Sequence, residues 1–295
     1  MSLFPVKASA RERRFIPSVE SNPNRSPEVP WRPWTAPLAL LTAFALATFG
    51  SVLVDLPLIL AKVVPRAETN TPALNLLDTF IQDAAFVTGA VATAIFFTGW
   101  ARSWQFGLRR PGLGWRIATL RALLVLAVFL AISVAWTTLL HTEREELLHK
   151  LGDREGTAML LLIALLTCVV APFAEEFLFR GYIFSALRNW RGTIVAALLT
   201  GLLFGGVHAG SAPLLDLVPL ALLGVGLCLL YRWTGSLYPG IGVHVLNNSI
   251  AFASLEHWGW QLPLLIGCSL LGIFGLDRLG RGVGWIGPRA IGSGA

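Results

Sequence analysis

The chain has 295 residues, of which 55% are hydrophobic and only 14% charged, and its mean hydropathy is +0.66. A water-soluble domain runs at roughly 45–50% apolar and about 25% charged, so a soluble enzyme, a disordered chain and an ordinary nucleic-acid binder are excluded. The formal net charge of +6 then reports orientation in a bilayer rather than an acidic ligand.

Residues 1–35 carry Lys7, Arg11, Arg13, Arg14, Arg25 and Arg32 among Ser and Pro. They lack the apolar run and small-residue site of a cleaved signal peptide and read as a basic, disordered cytosolic tail. Apolar spans of about 20 residues, the length a bilayer core demands, are expected at 37–61, 82–101, 117–140, 157–187, 193–209, 214–232, 240–255 and 261–276. The first two are expected to be irregular where Asp55-Leu56-Pro57 and Gln82-Asp83 stand at or near their ends. The fourth is long and invites a kink at Pro172. Residues 277–295 form a Gly-rich tail. The class is all-α: a polytopic membrane protein of about eight helices over 36–276.

Charge fixes the expected orientation. With the N-terminus inside, sixteen Lys and Arg fall on inner segments and five on outer ones, namely Lys62, Arg66, Arg144, Lys150 and Arg154. That asymmetry predicts both termini in the cytoplasm. Trp31, Trp34, Trp100, Trp104, Trp115, Trp190 and Trp233 collect on the inner side as an interfacial belt. Cys168, Cys228 and Cys268 each stand alone in an apolar run, so neither a disulfide framework nor a thiolate zinc site is expected.

The informative residues are those that hydropathy forbids. The fourth span contains Glu175-Glu176, followed one helical turn later by Arg180. A charge at mid-bilayer costs about 2.5–3.5 kcal/mol on insertion scales, so such a group faces a wet cavity, shares a proton or has a cationic partner. Read plainly, Glu176 and Arg180 are a structural ion pair at the inner interface, in the favourable acid-before-base order. The fifth span ends with Gly201, Gly205 and His208, where the two glycines let another helix approach closely. His208 on its own reads as an interhelical hydrogen bond. In the seventh span His244 and Asn248 share a helical face while Asn247 points elsewhere; alone, they too read as a polar helix contact. Two glutamates, an arginine, two histidines and an asparagine from three spans nevertheless make a set. Carboxylate and imidazole can deprotonate water, and imidazole and amide donors can hold an oxyanion in a dry site. The inventory fits water attacking a peptide carbonyl. No His-Glu-x-x-His, Gly-x-Ser-Gly or Gly-x-Gly-Asp motif is present to suggest another hydrolytic chemistry.

Glu175-Glu176-x-x-x-Arg180, Phe204-x-x-x-His208 and His244-x-x-x-Asn248, in that order on successive spans, resemble the three motifs of the CPBP family. These are the CAAX-processing and bacteriocin-processing (Abi) membrane proteases, related to the Rce1-type prenyl-protein endopeptidase. The likeness covers roughly 157–255, the protease core it implies. It implies an eight-helix core with a conical cavity open to the cytosol, Glu175 as general base aided by His208, and His244 with Asn248 as the oxyanion site. Glu176 and Arg180 would orient that set. It requires no cofactor if the glutamate alone activates water; a divalent metal such as zinc is the alternative, with Glu175, His208 and His244 as its ligands. The expected partners are a membrane-anchored or lipidated peptide and membrane lipid, not nucleic acid, and the expected location is a bacterial inner membrane. Two other functions use the same inventory: a non-catalytic binding or immunity protein, and a proton-coupled transporter, although no inverted repeat relates the two halves.

One tension remains. Counted from the inner loops at 1.5 Å per residue, Glu175 and His208 lie about 20 and 25 Å deep but His244 only about 6 Å. The uncharged, breaker-rich stretch Trp233–Gly240 is therefore expected to dip inward and start the seventh helix deeper.

Overall fold

The computed structural model describes residues 29–61, 71–140 and 156–282, and within them the regular structure is helical. Helix α1 is Thr35–Leu60, α2 Pro72–Thr98 and α3 Gly114–Leu140. Helix α4 is composite: α-helical Thr157–Leu165 and Ala171–Glu176 alternate with π-helical Leu166–Val170 and Phe177–Phe184. Then follow α5 (Ser185–Val207), α6 (Leu217–Thr234), α7 (Tyr238–Leu255) and α8 (Gln261–Gly282).

Local chemistry explains where these helices depart from expectation. Helix α2 starts at 72, not 82, because Thr71 caps it by accepting the Leu74 amide at 3.4 Å and Pro72 opens its first turn, where a missing N–H costs nothing. Gln82 and Asp83 thus sit inside the helix. Helix α1 is likewise regular through Asp55 and Pro57 and ends three residues later. At Pro172 the helix is not broken: a π-helical turn, Leu166–Val170, ends two residues before it and the α-helix continues through it to Glu176. Helix α8 extends past 276 to Gly282. Residues 1–28 and 283–295 of the two expected tails, and all five outer basic residues, lie outside the described residues. Val29 and Trp31, within the expected N-terminal tail, are buried.

Arg191 and Gly192 leave the helical region, Gly192 with φ 77°, a conformation that favours glycine. The chain reverses there: Phe179 and Phe204, equidistant from the break in sequence, meet edge to face at 5.2 Å. Small residues set the next contact. A Cβ on Gly201 would lie 2.6 Å from the Ala221 carbonyl oxygen, and one on Gly205 2.6 Å from that of Leu217. The close-approach partner of the Gly201/Gly205 pair is therefore α6, running antiparallel to α5. Helices α1 and α2 are also antiparallel, since Ala43 abuts Gly89 and Ile81 abuts Gly50.

One end of the bundle is bound together by side chains of several elements. Trp31 stacks on Tyr182 at 4.4 Å, and Phe106 stacks on Phe177 at 4.3 Å. The Tyr182 hydroxyl donates to Thr35 Oγ1 at 3.0 Å, and Asn189 Nδ2 donates to the carbonyls of Val29 and Trp31. The 3₁₀ turn Ser103–Phe106 and the residues after it cover the start of α7: Leu237 N–H donates to Gly107 O at 2.9 Å and Arg109 Nε to Gly235 O at 2.6 Å.

By length and composition five helices among the described residues can cross a membrane: α1, α2, α3, the continuous run Thr157–Val207 and the helix ending at Thr234. The spans expected at 240–255 and 261–276 are helices, but His244, Asn247 and Asn248 dilute the first, and the apolar part of the second is short. Large apolar side chains such as Phe49, Phe96, Leu120 and Leu202 point outward from α1, α2, α3 and α5, the pattern of helices that are hydrophobic all round and bordered by lipid.

Candidate active site

The start of α7 settles the depth problem. A Cβ on Gly181 would touch Phe106 O at 3.1 Å and the Leu237 side chain at 3.5 Å. Helix α7 thus begins level with Gly181, well inside the turn at Gly192, and about seven residues of it bring His244 to the Glu175-Glu176 level. Thr234, Ser236 and Leu237 are buried, as irregular backbone among apolar helices must be when it lies against protein.

His244 is bracketed by the two acids. Its Nδ1 donates to Glu176 Oε1 at 3.2 Å, and its Nε2 stands 3.6 Å from Glu175 Oε2. Glu176 Oε1 also meets Arg180 Nη1 at 2.8 Å, and both side chains of that pair are fully buried. The pair is therefore interior, not interfacial. Arg180 Nη2 donates to Gly224 O at 3.3 Å, and its guanidinium lies 4.3 Å from the centre of the Phe204 ring, a cation–π contact in a desolvated setting. The adjacent acids have different surroundings. Glu176 is tied through Oε1 to Arg180 and His244, whereas Glu175 keeps 14% of its side chain exposed and comes no nearer than 3.6 Å to His244; among the described residues Oε2 of neither acid has a hydrogen-bond partner.

His208 caps the end of α5, half-buried, with Nδ1 2.7 Å from its own Phe204 carbonyl. A nitrogen so placed donates, which leaves Nε2 as the free acceptor. The Phe204 ring lies against both imidazoles, 5.0 Å from His208 and 5.7 Å from His244. Asn248 is turned aside: Nδ2 donates to Thr167 O at 3.0 Å, and Oδ1 accepts from Asn247 Nδ2 at 3.2 Å. Asn247, read from periodicity as pointing elsewhere, holds its neighbour's amide in place.

The structure thus brings Glu175, Glu176, Arg180 and His244 into one cluster, sets His208 one ring away, and couples Asn248 to it through α4. Among the described residues no three or more His, Cys, Asp or Glu side chains are arranged to hold a metal ion. Glu175, His208 and His244, the ligand set a metal would need, are among the residues not so arranged. A space of about 740 Å3 opens between α1 and α2, lined by Ser51, Asp55, Asn75, Asp78 and Gln82 among others and by none of the six candidates.

Two residues escaped the sequence reading. Gly240 faces Glu176, where a Cβ would come 3.0 Å from Oε2. Asp83, on α2, is 1% exposed, has no hydrogen-bond partner on either oxygen among the described residues, and interacts electrostatically with Glu175. Its signal was an acid inside an apolar run, masked by a span boundary placed ten residues too late.

Residues 157–250 match the family model described as type II CAAX prenyl endopeptidase Rce1-like. A curated relative from Bacillus subtilis (strain 168), "Putative membrane peptidase YdiL", is 29% identical over 114 residues, which cover 36% of this chain and 46% of that protein. The chain therefore spans about half the length of the relative it matches. No solved structure matches. The resemblance read from the three motifs is borne out, and all six candidate residues fall within the matched segment.

Proposed function

We propose, from the premise that residues 157–250 are an Rce1-like segment, that the protein is an intramembrane endopeptidase cutting a membrane-anchored or lipidated peptide. The observation that carries the reading is His244 held between Glu176 and Glu175, with Arg180 behind Glu176. A buried ion pair aims an imidazole at a second, less committed carboxylate, an arrangement that packing alone does not require.

In this reading Glu175 takes a proton from water while the water oxygen attacks the peptide carbonyl carbon. His244, carrying a proton on each ring nitrogen, is oriented through Nδ1–H by Glu176 and presents Nε2–H to the oxyanion; the second Nδ2–H of Asn248 completes that site. Donors fixed in place before reaction need no reorganisation. His208 aids Glu175 by accepting, at its free Nε2, a hydrogen bond from the attacking water. Collapse of the tetrahedral adduct breaks the C–N bond, and Glu175 returns its proton to the leaving amine, giving one acid and one amine. No cofactor takes part. Eight helices span a bacterial inner membrane, both termini are cytoplasmic, and substrate approaches from that side.

The test is cleavage by protein purified in lipid nanodiscs. A positioned general base or oxyanion donor contributes about 10²–10⁴-fold, so Glu175→Gln and His244→Ala are expected to lower kcat by that factor and His208→Ala by less. Activity should survive a chelator. Full activity in both Glu175→Gln and His244→Ala would refute the reading.

A further inference from the structure

The buried acid that this chemistry leaves unused is Asp83. Its register follows from the packing of α2 on α4. Helix α1 runs antiparallel to α2, by the Ala43–Gly89 and Gly50–Ile81 contacts, and it is antiparallel to α4 too: its first residue, Thr35, bonds Tyr182 near the end of α4. Helices α2 and α4 are therefore parallel. Phe86 of α2 meets Phe179 of α4, ring centroids 6.3 Å apart. One turn back along each helix stand Asp83 and Glu175, and their carboxylates interact.

Among the described residues neither oxygen of Asp83 has a hydrogen-bond partner, and Glu175 Oε2 has none either. Among the described residues the groups around the pair give Asp83 no ion-pair partner. On α4, Arg180 is committed to Glu176; on α7, His244 stands between Glu176 and Glu175. The buried face of α1 offers Ala39, Ala43 and Ala47. Two carboxyls sharing one desolvated site cannot both ionise without cost; one keeps a proton and donates it to the other. Glu175 has access to solvent and an imidazole beside it, and Asp83 has neither, which decides which one stays neutral.

We propose that Asp83 is a positioning residue for Glu175: a neutral carboxylic acid whose O–H donates toward the Glu175 carboxylate and holds it ionised and oriented toward the attacking water. Asp83 itself touches no substrate. The inference deepens the hydrolase reading and rests on it for its kinetic arm, but the protonated acid is observable without any substrate.

The experiment compares wild type with Asp83→Asn, Asp83→Leu and Glu175→Gln in nanodiscs. Infrared spectroscopy should show a protonated-acid C=O stretch that Asp83→Asn and Asp83→Leu remove and Glu175→Gln shifts. In cleavage assays Asn, which also donates a hydrogen bond, is expected to keep kcat within about threefold; Leu should lower it about 100-fold with KM little changed. Losing the donated bond disfavours the ionised form, so the acid limb of the kcat/KM profile moves to higher pH in Asp83→Leu and stays put in Asp83→Asn. Absence of the Asp83-dependent band, a defect in Asn equal to that in Leu, or full activity in Leu would each overturn the proposal. If wild type shows the band but cleaves nothing, the hydrolase reading fails while the acid pair stands.

Discussion

At the scale of single residues, two neighbouring glutamates do different work. Glu176 is sealed from solvent and shares one oxygen between Arg180 and His244. Removing a partner from a buried pair leaves a charge with nothing to replace water, at a cost of about 3–5 kcal/mol. Arg180→Met is therefore expected to lower thermal stability in detergent by that order and to abolish activity with it. Glu175 has no contact closer than 3.6 Å to a cationic group and keeps some exposure, so Glu175→Gln should change stability by less than about 1 kcal/mol while removing cleavage. Matched unfolding and activity measurements separate the roles; equal destabilisation by both changes would make Glu175 structural. Glu175, Glu176, Arg180 and His244 were legible in the sequence because a charge in an apolar span needs an explanation. Asp83 carries the same signal and was missed for a local reason: Thr71 and Pro72 start α2 a full ten residues before its apolar run becomes dense. The bond from Asn248 to Thr167 O had no sequence signal, since it joins a side chain to a backbone carbonyl 81 positions away.

At the scale of elements, the site depends on how closely α5 and α6 approach. Gly201 and Gly205 announced a close neighbour, but a small-residue repeat does not say which helix fills it; only the turn at Arg191–Gly192 and the short link to α6 bring Ala221 and Leu217 there. The same contact seats Gly224 against Gly201 and presents the Gly224 carbonyl to Arg180. Gly201→Ala would force a methyl to within 2.6 Å of the Ala221 carbonyl and the Val225 side chain, an overpacking that typically costs about 1–3 kcal/mol, and the displacement would pass through Gly224 to Arg180. Gly206 is one residue beyond Gly205 on α5, and a Cβ there meets nothing within 4 Å. Gly206→Ala should therefore be neutral or gain about 0.5–1 kcal/mol from helix propensity. Melting temperature and cleavage rate should fall in Gly201→Ala and hold in Gly206→Ala. A neutral Gly201→Ala would mean that this contact does not position Arg180. The depth of His244 was less legible than the helices themselves, because counting residues from a loop assumes that each helix begins at the same level. Helix α7 does not: the segment after Ser103–Phe106 folds beneath it and receives its first turn.

At the scale of the whole molecule, the six candidate residues come from three stretches of chain whose alignment depends on one end of the bundle. Trp31, Phe106, Phe177 and Tyr182 stack there, Asn189 ties down Val29 and Trp31, and Arg109 and Arg121 donate to the carbonyls of Gly235 and Trp233. Trp34, Trp100, Trp115, Trp190 and Trp233, all placed on the inner side by the charge pattern, are substantially exposed, as an aromatic girdle at the headgroup level is. Arginine and tryptophan thus mark the same end that local packing anchors, and an excess of Lys and Arg faces the cytoplasm. Reporters fused after residues 110 and 190 are therefore expected to fluoresce when the reporter folds only in the cytoplasm and to be silent when it is an exported phosphatase. Fusions after residues 145 and 212 should behave the opposite way. The reverse pattern would turn the anchored end outward and reject a cytoplasmic entry for substrate. Phosphatase activity after residue 190 together with cytoplasmic signal after 110 would instead show that Thr157–Val207 does not turn back inside the cell at Gly192, and would remove the hairpin that brings Phe204, with His208 beside it, against Arg180 and His244.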